Sequence, residues 1–544
     1  MAESFQGGRL VAQALAAEGV DTIFTLCGGH VMPIYEGCRL EGLRVVDVRH
    51  EQAAAHAAEA WGRIRRTCGV AVVTAGPGVT GTLTALANSR VAHTPLVILG
   101  GARPLAQAEQ GALQELDQLA LVKPLSKWTA LCTTADRIPA LVAAAFRHAL
   151  SQPRGPAYLE LPMDVLFDEA APDEPPQSSR SEARAFGDPA QIMRAADLLA
   201  KAERPAVIAG SGIWWDGAWK QLRLFAENGR LPVFLQGSGR GALPPDHELL
   251  LQHARGTALA EADVVCVIGT TLDFRLRFGR LPVETKLVHV HSDHAELGRN
   301  RRPDAAVVAD CGAALGILAD AVKAPVGPAR EAWLGRLRQE ESAWRDEHSH
   351  ELESSASPIH HYRLGVELDR VLGQDAIVIG DGGDVVAAVS RVLRVHRPGH
   401  WLDPGPFGCL GVGAPYALGV KAARPETTVV VVSGDGSFGL NGFEFETLTR
   451  LKLPVVFVVG NDAGWGEIRI PQVGLYGEEA QVATRLAPTR YDLLTEAFGG
   501  FGRHVERPEE LADALASALA AGEPAIVDVS LDPEGMKGHP YRGM

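Results

Sequence analysis

The sequence predicts an α/β protein built of three consecutive parallel-sheet domains, and three observations carry that prediction. The 544 residues are too many for one hydrophobic core and suggest about three domains of ordinary size. Short β-branched runs alternate with alanine- and leucine-rich segments along the whole chain, the pattern of repeated βα units around parallel sheets. Two stretches interrupt the alternation: a polar, proline-rich one at 171–184 and a charged, helix-prone one at 330–353. The expected division is a first domain at 1–170, a linker at 171–188, a central domain at 189–328, a linker at 329–356, a third domain at 357–530 and a tail at 531–544.

In the first domain the apolar runs 45–48, 70–73, 95–99 and 158–161 read as strands, and a helix over 52–66 opens straight after Arg49-His50-Glu51. The central domain takes strands at 206–209, 233–235, 264–268 and 287–290, and the third at 377–379, 429–432, 455–459 and 526–529. The last fourteen residues, LDPEGMKGHPYRGM, are rich in Gly and Pro and carry Lys537, His539 and Arg542. With 46% hydrophobic and 22% charged residues the composition is that of a globular protein. A net charge of -14 argues against a nucleic-acid partner and offers no basic face to a membrane. No apolar run approaches the length of a bilayer span, and the N-terminus lacks a signal-peptide pattern. Seven scattered cysteines without CxxC spacing argue against a disulfide framework or zinc site, so a cytoplasmic home is expected.

The densest chemistry lies between Gly434 and Asn461. One buried-strand run ends in the sharp turn Gly434-Asp435-Gly436-Ser437, and the next ends at Asn461-Asp462. Parallel sheets place ligands at the carboxyl ends of their strands, so Asp435 and Asn461 would face one crevice. Their oxygens are hard ligands suited to Mg²⁺, and the glycines let backbone N–H groups approach a diphosphate. This GDG turn, an interval of a few tens of residues and then Asn resembles the metal–diphosphate signature of thiamine diphosphate enzymes.

Further segments agree with that resemblance, which implies a role for each of them. Glu51 stands where the family keeps the glutamate that drives the cofactor's aminopyrimidine to its imino form. Gly76-Pro77-Gly78 matches a turn near the pyrimidine, and Gly380-Asp381-Gly382-Gly383-Asp384 matches a second diphosphate loop. The family normally offers an uncharged donor where this chain has Asp384. Gly408-Cys409-Leu410-Gly411 matches the segment that bends the cofactor, with the Gly408 carbonyl on the exocyclic amine and Leu410 as the wedge under the thiazolium. The cofactor set is thus Gly76, Gly383, Asp384, Gly408, Leu410, Asp435, Gly436, Ser437, Asn461, Ala463, Gly464 and Trp465, with Asp435, Asn461 and Ala463 on the metal. The family's site lies between subunits, so a homodimer or homotetramer is implied, Glu51 of one chain facing Asp435 and Asn461 of another.

Within the family several segments look most like the 2-hydroxyacyl-CoA lyases of the acetolactate-synthase-like branch: LCGGH from Leu26, GALQ from Gly111, GTTLDFRL from Gly269, LDPGPFG from Leu402 and GNDAGW from Gly460. GRGALPPDH, from Gly239, resembles a run in the oxalyl-CoA and hydroxyacyl-CoA enzymes. Acetohydroxyacid synthases carry a tryptophan where this chain has Ile470. The activity implied is Mg²⁺-dependent cleavage of a 2-hydroxyacyl-CoA to formyl-CoA and an aldehyde or ketone, reversible as a condensation. The alternatives are a 2-keto-acid carboligase (acetolactate synthase or benzaldehyde-lyase-like), an oxalyl-CoA-type decarboxylase and a catalytically silent homologue. Glu467, six residues past Asn461, is the expected proton carrier, and His30 and Gln114 are the expected substrate-facing residues. Relatives hold FAD, CoA, ADP or nothing in the central domain; the resemblance points to CoA or ADP before FAD and leaves an empty domain open, with Arg240, Arg275 and Asp293 as the contacts, and the tail could close over it.

Overall fold

Strongly apolar strands flanked by helices, as in Val429–Gly434 (VVVVSG), form sheets that are covered on both faces. The computed structural model describes residues 4–171, 174–323 and 327–537. Its first sheet has the order Arg44–Asp47, Thr22–Thr25, Gly69–Val73, Leu96–Ala102, Pro156–Pro162, Trp128–Leu131, and every pairing is parallel. The last sheet runs Trp401–Leu402, Ile377–Asp381, Val429–Gly434, Val456–Asn461, Ala525–Ser530, Phe501–Val505, also all parallel. Counted within each sheet in chain order, both read 2-1-3-4-6-5. The central sheet is shorter: Val233–Leu235, Pro205–Ala209, Val264–Ile268, Lys286–His291, Ala305–Val308, or 2-1-3-4-5. In each, the direction of winding reverses between the first and third strands, which opens a crevice at their carboxyl ends.

All twelve expected strands are present. Five more, Thr22–Thr25, Trp128–Leu131, Ala305–Val308, Trp401–Leu402 and Phe501–Val505, were not expected from the sequence. A two-residue antiparallel pair, Phe5–Gln6 with Glu169–Ala170, brings the beginning and end of the first domain together.

The first and third domains share one hydrophobic core, whereas the central sheet has its own. The joint is a helix pair, Glu51–Arg65 against Gly413–Ala423. Ala53, Ala54, Ala57, Ala58 and Ala60 are fully buried along the first helix, and a Cβ on Gly419 would overlap the Ala57 carbonyl and stand 3.0 Å from the Ala60 methyl, so only glycine permits the approach. Buried polar groups lie inside this joint. Arg63 pairs with Glu59 at 3.0 Å, and the Asn88 amide donates to Glu59 at 3.2 Å and to the Tyr416 hydroxyl at 3.2 Å. Burial alone would raise the Glu59 carboxyl, but the adjacent Arg63 and His56 hold it below the usual carboxylate range.

Residues 329–356, expected as a linker, are largely a helix, Pro328–Glu347, clamped to the central sheet. Trp333 and Leu337 enter the central core, and the Trp333 indole donates to the Pro205 carbonyl at 2.9 Å. Arg330 is buried and donates to the carbonyls of Leu199 (2.7 Å) and Gly229 (2.7 Å), which satisfies its buried guanidinium. Among the described residues no helix is long and apolar enough to cross a membrane.

Candidate active site

In the third domain, Ile377–Asp381 and Val429–Gly434 flank the reversal point, and the expected diphosphate loops leave their carboxyl ends. Gly382 has φ +149°, a conformation L side chains rarely adopt, which brings the loop backbone close to Gly434 and Ser437. Asp435 opens a short helix and is buried. Its Oδ1 accepts from the Gly436 N–H at 2.8 Å and its Oδ2 from the Gly464 N–H at 3.1 Å. Asn461 ends the neighbouring strand, and its Oδ1 accepts from the Ala463 N–H at 3.2 Å across a tight turn in which Ala463 has φ +51°. Trp465 folds over Gly436, where a Cβ would come within 2.7 Å of the indole ring. The structure therefore brings Asp435, Gly436, Ser437, Asn461, Ala463, Gly464 and Trp465 together.

The charge balance of this crevice is distinctive. Burial and the neighbouring Asp462 push the Asp435 carboxyl up to about 7, against the pull of two N–H donors. Asp462 and Asp384 are also raised, first by burial, and Glu467 is raised by burial and then by Asp384. Arg469 pairs with Asp462, and His361 Nε2 stands 3.9 Å from Asp384. A crowd of carboxyls that resist ionisation suits a divalent cation, which favours their charged form. Hard oxygen donors on Asp435 and Asn461 make Mg²⁺ the fitting ion. Asp384, where an uncharged donor was expected, is the first residue of its helix, accepts from the Val385 N–H at 2.9 Å and points toward Gly466.

A cavity of about 1230 Å³ between the third and central domains opens beside this crevice. Gly383, Gly408, Leu410 and Glu467 line it together, although they come from three separate segments. The Glu467 carboxylate rests directly on Gly383, where a Cβ would overlap it. Away from Leu410 the wall is basic: Arg240, Arg255, Arg275, Arg277, Arg280 and Arg391 all contribute. Burial, and after it the like charges of Arg240, Arg391, Arg275 and Arg277, lower Arg255 below its usual value. Of the expected contacts, Arg240 lies 4.8 Å over the Trp401 ring and donates to the Ser390 carbonyl at 2.8 Å. Arg275 is held by Asp273 at 2.7 Å. Asp293 does not line this cavity, and its Oδ1 accepts from the Ala295 N–H at 2.8 Å to close its own turn. Sequence reasoning missed Arg255, Arg277, Arg280 and Arg391; the run FRLRFGR was the available signal. Lys537 reaches the cavity wall, and His539 and Arg542 lie outside the described residues.

The first domain places its own residues at the equivalent reversal point, between Thr22–Thr25 and Gly69–Val73. His30 is buried with its Nδ1 3.0 Å from Thr74 Oγ1, and burial lowers its pKa. Thr74 Oγ1 lies 3.5 Å from Gln114 Oε1, and Gln114 has φ +59° and packs on Gly76, itself at φ +58°. Thr74, which no sequence motif marked, thus joins His30, Gly76 and Gln114. Glu51 begins its helix nearby, and a Cβ on Gly81 would stand 3.0 Å from its Oε2.

Two paired crevices and a diphosphate-type loop define a thiamine-dependent fold, and comparison with known proteins agrees. Family models described as the N-terminal TPP binding domain, the central domain and the C-terminal TPP binding domain of thiamine pyrophosphate enzymes match residues 5–121, 192–318 and 381–529. The chain belongs to the thiamine pyrophosphate enzyme family. It is 42% identical over 537 residues to the acetolactate synthase large subunit IlvG of Mycobacterium tuberculosis, covering 98% of this chain and 97% of the relative. It is 36% identical over 548 residues to 2-hydroxyacyl-CoA lyase 2 of Danio rerio (93% and 87% covered) and 35% over 551 residues to that of Homo sapiens (93% and 86%).

Proposed function

We propose that this enzyme is a Mg²⁺-dependent lyase cleaving a 2-hydroxyacyl-CoA to formyl-CoA and an aldehyde or ketone, with the condensation accessible in reverse. The observation that carries the reading is the arginine-lined cavity that runs from Arg255 to Leu410 and Glu467. A CoA thioester brings phosphates, which guanidinium groups bind bidentately, and it needs a long channel that ends at the reacting carbon. The mutual repulsion around Arg255 is what a polyanion would relieve.

Asp435, Asn461 and Ala463 would hold the metal and, through it, the diphosphate. Thiamine diphosphate supplies a nucleophilic carbon and an electron sink when bound. Leu410 would support the ring from below, and Gly383 and Gly436 allow backbone to approach the phosphates. Glu51, delivered by a second copy of the chain, would hold and exchange a proton with the cofactor's aminopyrimidine. Glu467, raised by burial and Asp384, holds a proton closer to neutral pH than an ordinary glutamate. That suits it to take the proton of the substrate's 2-hydroxyl and return one to the product carbon. His30 and Gln114 line the first-domain side, where they would orient the carbonyl.

A second reading, 2-keto-acid carboligation to acetolactate, is favoured by the 42% identity to mycobacterial proteins so described. Against it stands Ile470, packed by the Tyr362 cluster where a tryptophan would shape a second keto-acid site. The test offers 2-hydroxyacyl-CoA and pyruvate in parallel to protein with Mg²⁺ and thiamine diphosphate, and follows products by mass. Formyl-CoA with an aldehyde supports the lyase, and acetolactate alone overturns it. Arg255→Ala should raise KM for the CoA substrate roughly 10-fold or more, the weight of a charge-assisted hydrogen bond, and leave any pyruvate reaction unchanged.

A further inference from the structure

An asparagine can serve a cation only through its oxygen, and the two ends of its amide are nearly the same size. What fixes the end that faces the crevice at Asn461 is found on the far side of the residue. Its Nδ2 donates to the Thr489 carbonyl at 2.8 Å and to Asp528 Oδ1 at 3.0 Å. Two acceptors around one end of the amide settle which end is nitrogen, and Oδ1 is left on the Ala463 side. Asp528 is fully buried on the adjacent strand, Ala525–Ser530, and its Oδ2 lies 3.0 Å from Nδ1 of His504 on the strand beyond. In the sheet register His504 stands opposite Asp528, and Asp528 opposite Val459, two residues before Asn461, so the row His504–Asp528–Asn461 crosses three parallel strands. The neighbouring Asp492 carboxylate is taken up by Arg490 at 2.7 Å and 2.8 Å, so it does not compete for the amide.

We infer that Asp528, steadied by His504, is a positioning residue for the metal: it locks the Asn461 amide with its oxygen toward the crevice and polarises that oxygen into a stronger ligand. The inference rests on the reading of Asn461 as a metal ligand. Removal of Asp528 leaves the amide held by the Thr489 carbonyl and the Ala463 N–H alone, a looser and less polarised ligand, and partners of this kind typically contribute 10–100-fold in metal affinity.

The test measures Mn²⁺ binding by electron paramagnetic resonance on the full chain with thiamine diphosphate, beside thermal unfolding without metal. Asp528→Ala and Asp528→Leu should each weaken Mn²⁺ by about 10–100-fold. The leucine variant exchanges a buried charge for an apolar group of similar shape and so keeps a folded protein to measure. Asp528→Asn should stay near wild type, because its oxygen still accepts from Asn461 while its NH₂ turns to His504. Wild-type Mn²⁺ affinity in Asp528→Leu, with or without a lower unfolding temperature, would overturn the inference and leave Asp528 a pillar of the fold. An equal loss in Asp528→Asn and Asp528→Leu would overturn it as well. Asn461→Ala separates the premise: unchanged affinity there means that Asn461 is no ligand, whatever Asp528 does.

Discussion

The first and third domains carry the same sheet, 2-1-3-4-6-5 with every pairing parallel, and opposite chemistry at the same place in it. Where the first domain puts a neutral, buried His30 against Thr74, the third puts Asp435, with Asp384, Asp462 and Glu467 around it. Topology has set where a crevice opens, and the loops have decided what it can hold. On the proposed reading, one crevice would take an uncharged ring and the other a cation and phosphates.

The sharpest way to break that comparison is to remove charge from the third domain. Asp435→Ala should lose thiamine diphosphate altogether, read as cofactor content after gel filtration with excess Mg²⁺, while His30→Ala in the first domain retains it. Equal retention in both would dissolve the division of labour. Glu51→Gln comes next: turnover should fall about 10²–10⁴-fold, as for loss of a positioned proton carrier, with cofactor content unchanged. Glu467→Gln should cost about 10²-fold in kcat, and near-normal turnover would remove it from the proton path.

The smallest effect is a matter of pH. The folded state holds a proton on Asp435 up to about 7, whereas the unfolded chain releases it near an ordinary carboxylate value of ~4. Between those values the folded protein binds more protons, so this group's contribution to stability falls as pH rises. In the absence of metal and cofactor, wild type should therefore lose unfolding temperature relative to Asp435→Asn from about pH 4 to about pH 7. Mg²⁺ with thiamine diphosphate should reverse the loss, because a cation favours the charged carboxylate.

The inner strands were legible because full burial on both faces leaves an unbroken apolar run, as at Val429–Gly434 and Val264–Ile268. Four of the five unexpected strands, Trp128–Leu131, Ala305–Val308, Trp401–Leu402 and Phe501–Val505, are sheet edges. Phe501–Val505 reads FGRHV with two exposed residues, and nothing in such a run distinguishes it from a loop. The glycine turns and Asp435 were legible because local backbone geometry restricts which residues can stand there. The arginines of the cavity were not: Arg255, Arg277 and Arg391 meet only when two domains dock, and each alone reads as a solvated side chain. The burial of Arg330 was not legible for the same reason, since its partners are carbonyls more than a hundred residues away.

The alanine-lined joint between Glu51–Arg65 and Gly413–Ala423 has a consequence for the newborn chain. The first of these helices leaves the ribosome about 360 residues ahead of the second, which at 5–20 residues per second is a wait of roughly 20–70 s. Throughout it, the face that will carry the shared core has no partner. Where it meets Gly419 that face carries only Ala57 and Ala60. A surface of single methyl groups offers little to a passing chain or chaperone, and so it can stay bare until the other half of the molecule arrives.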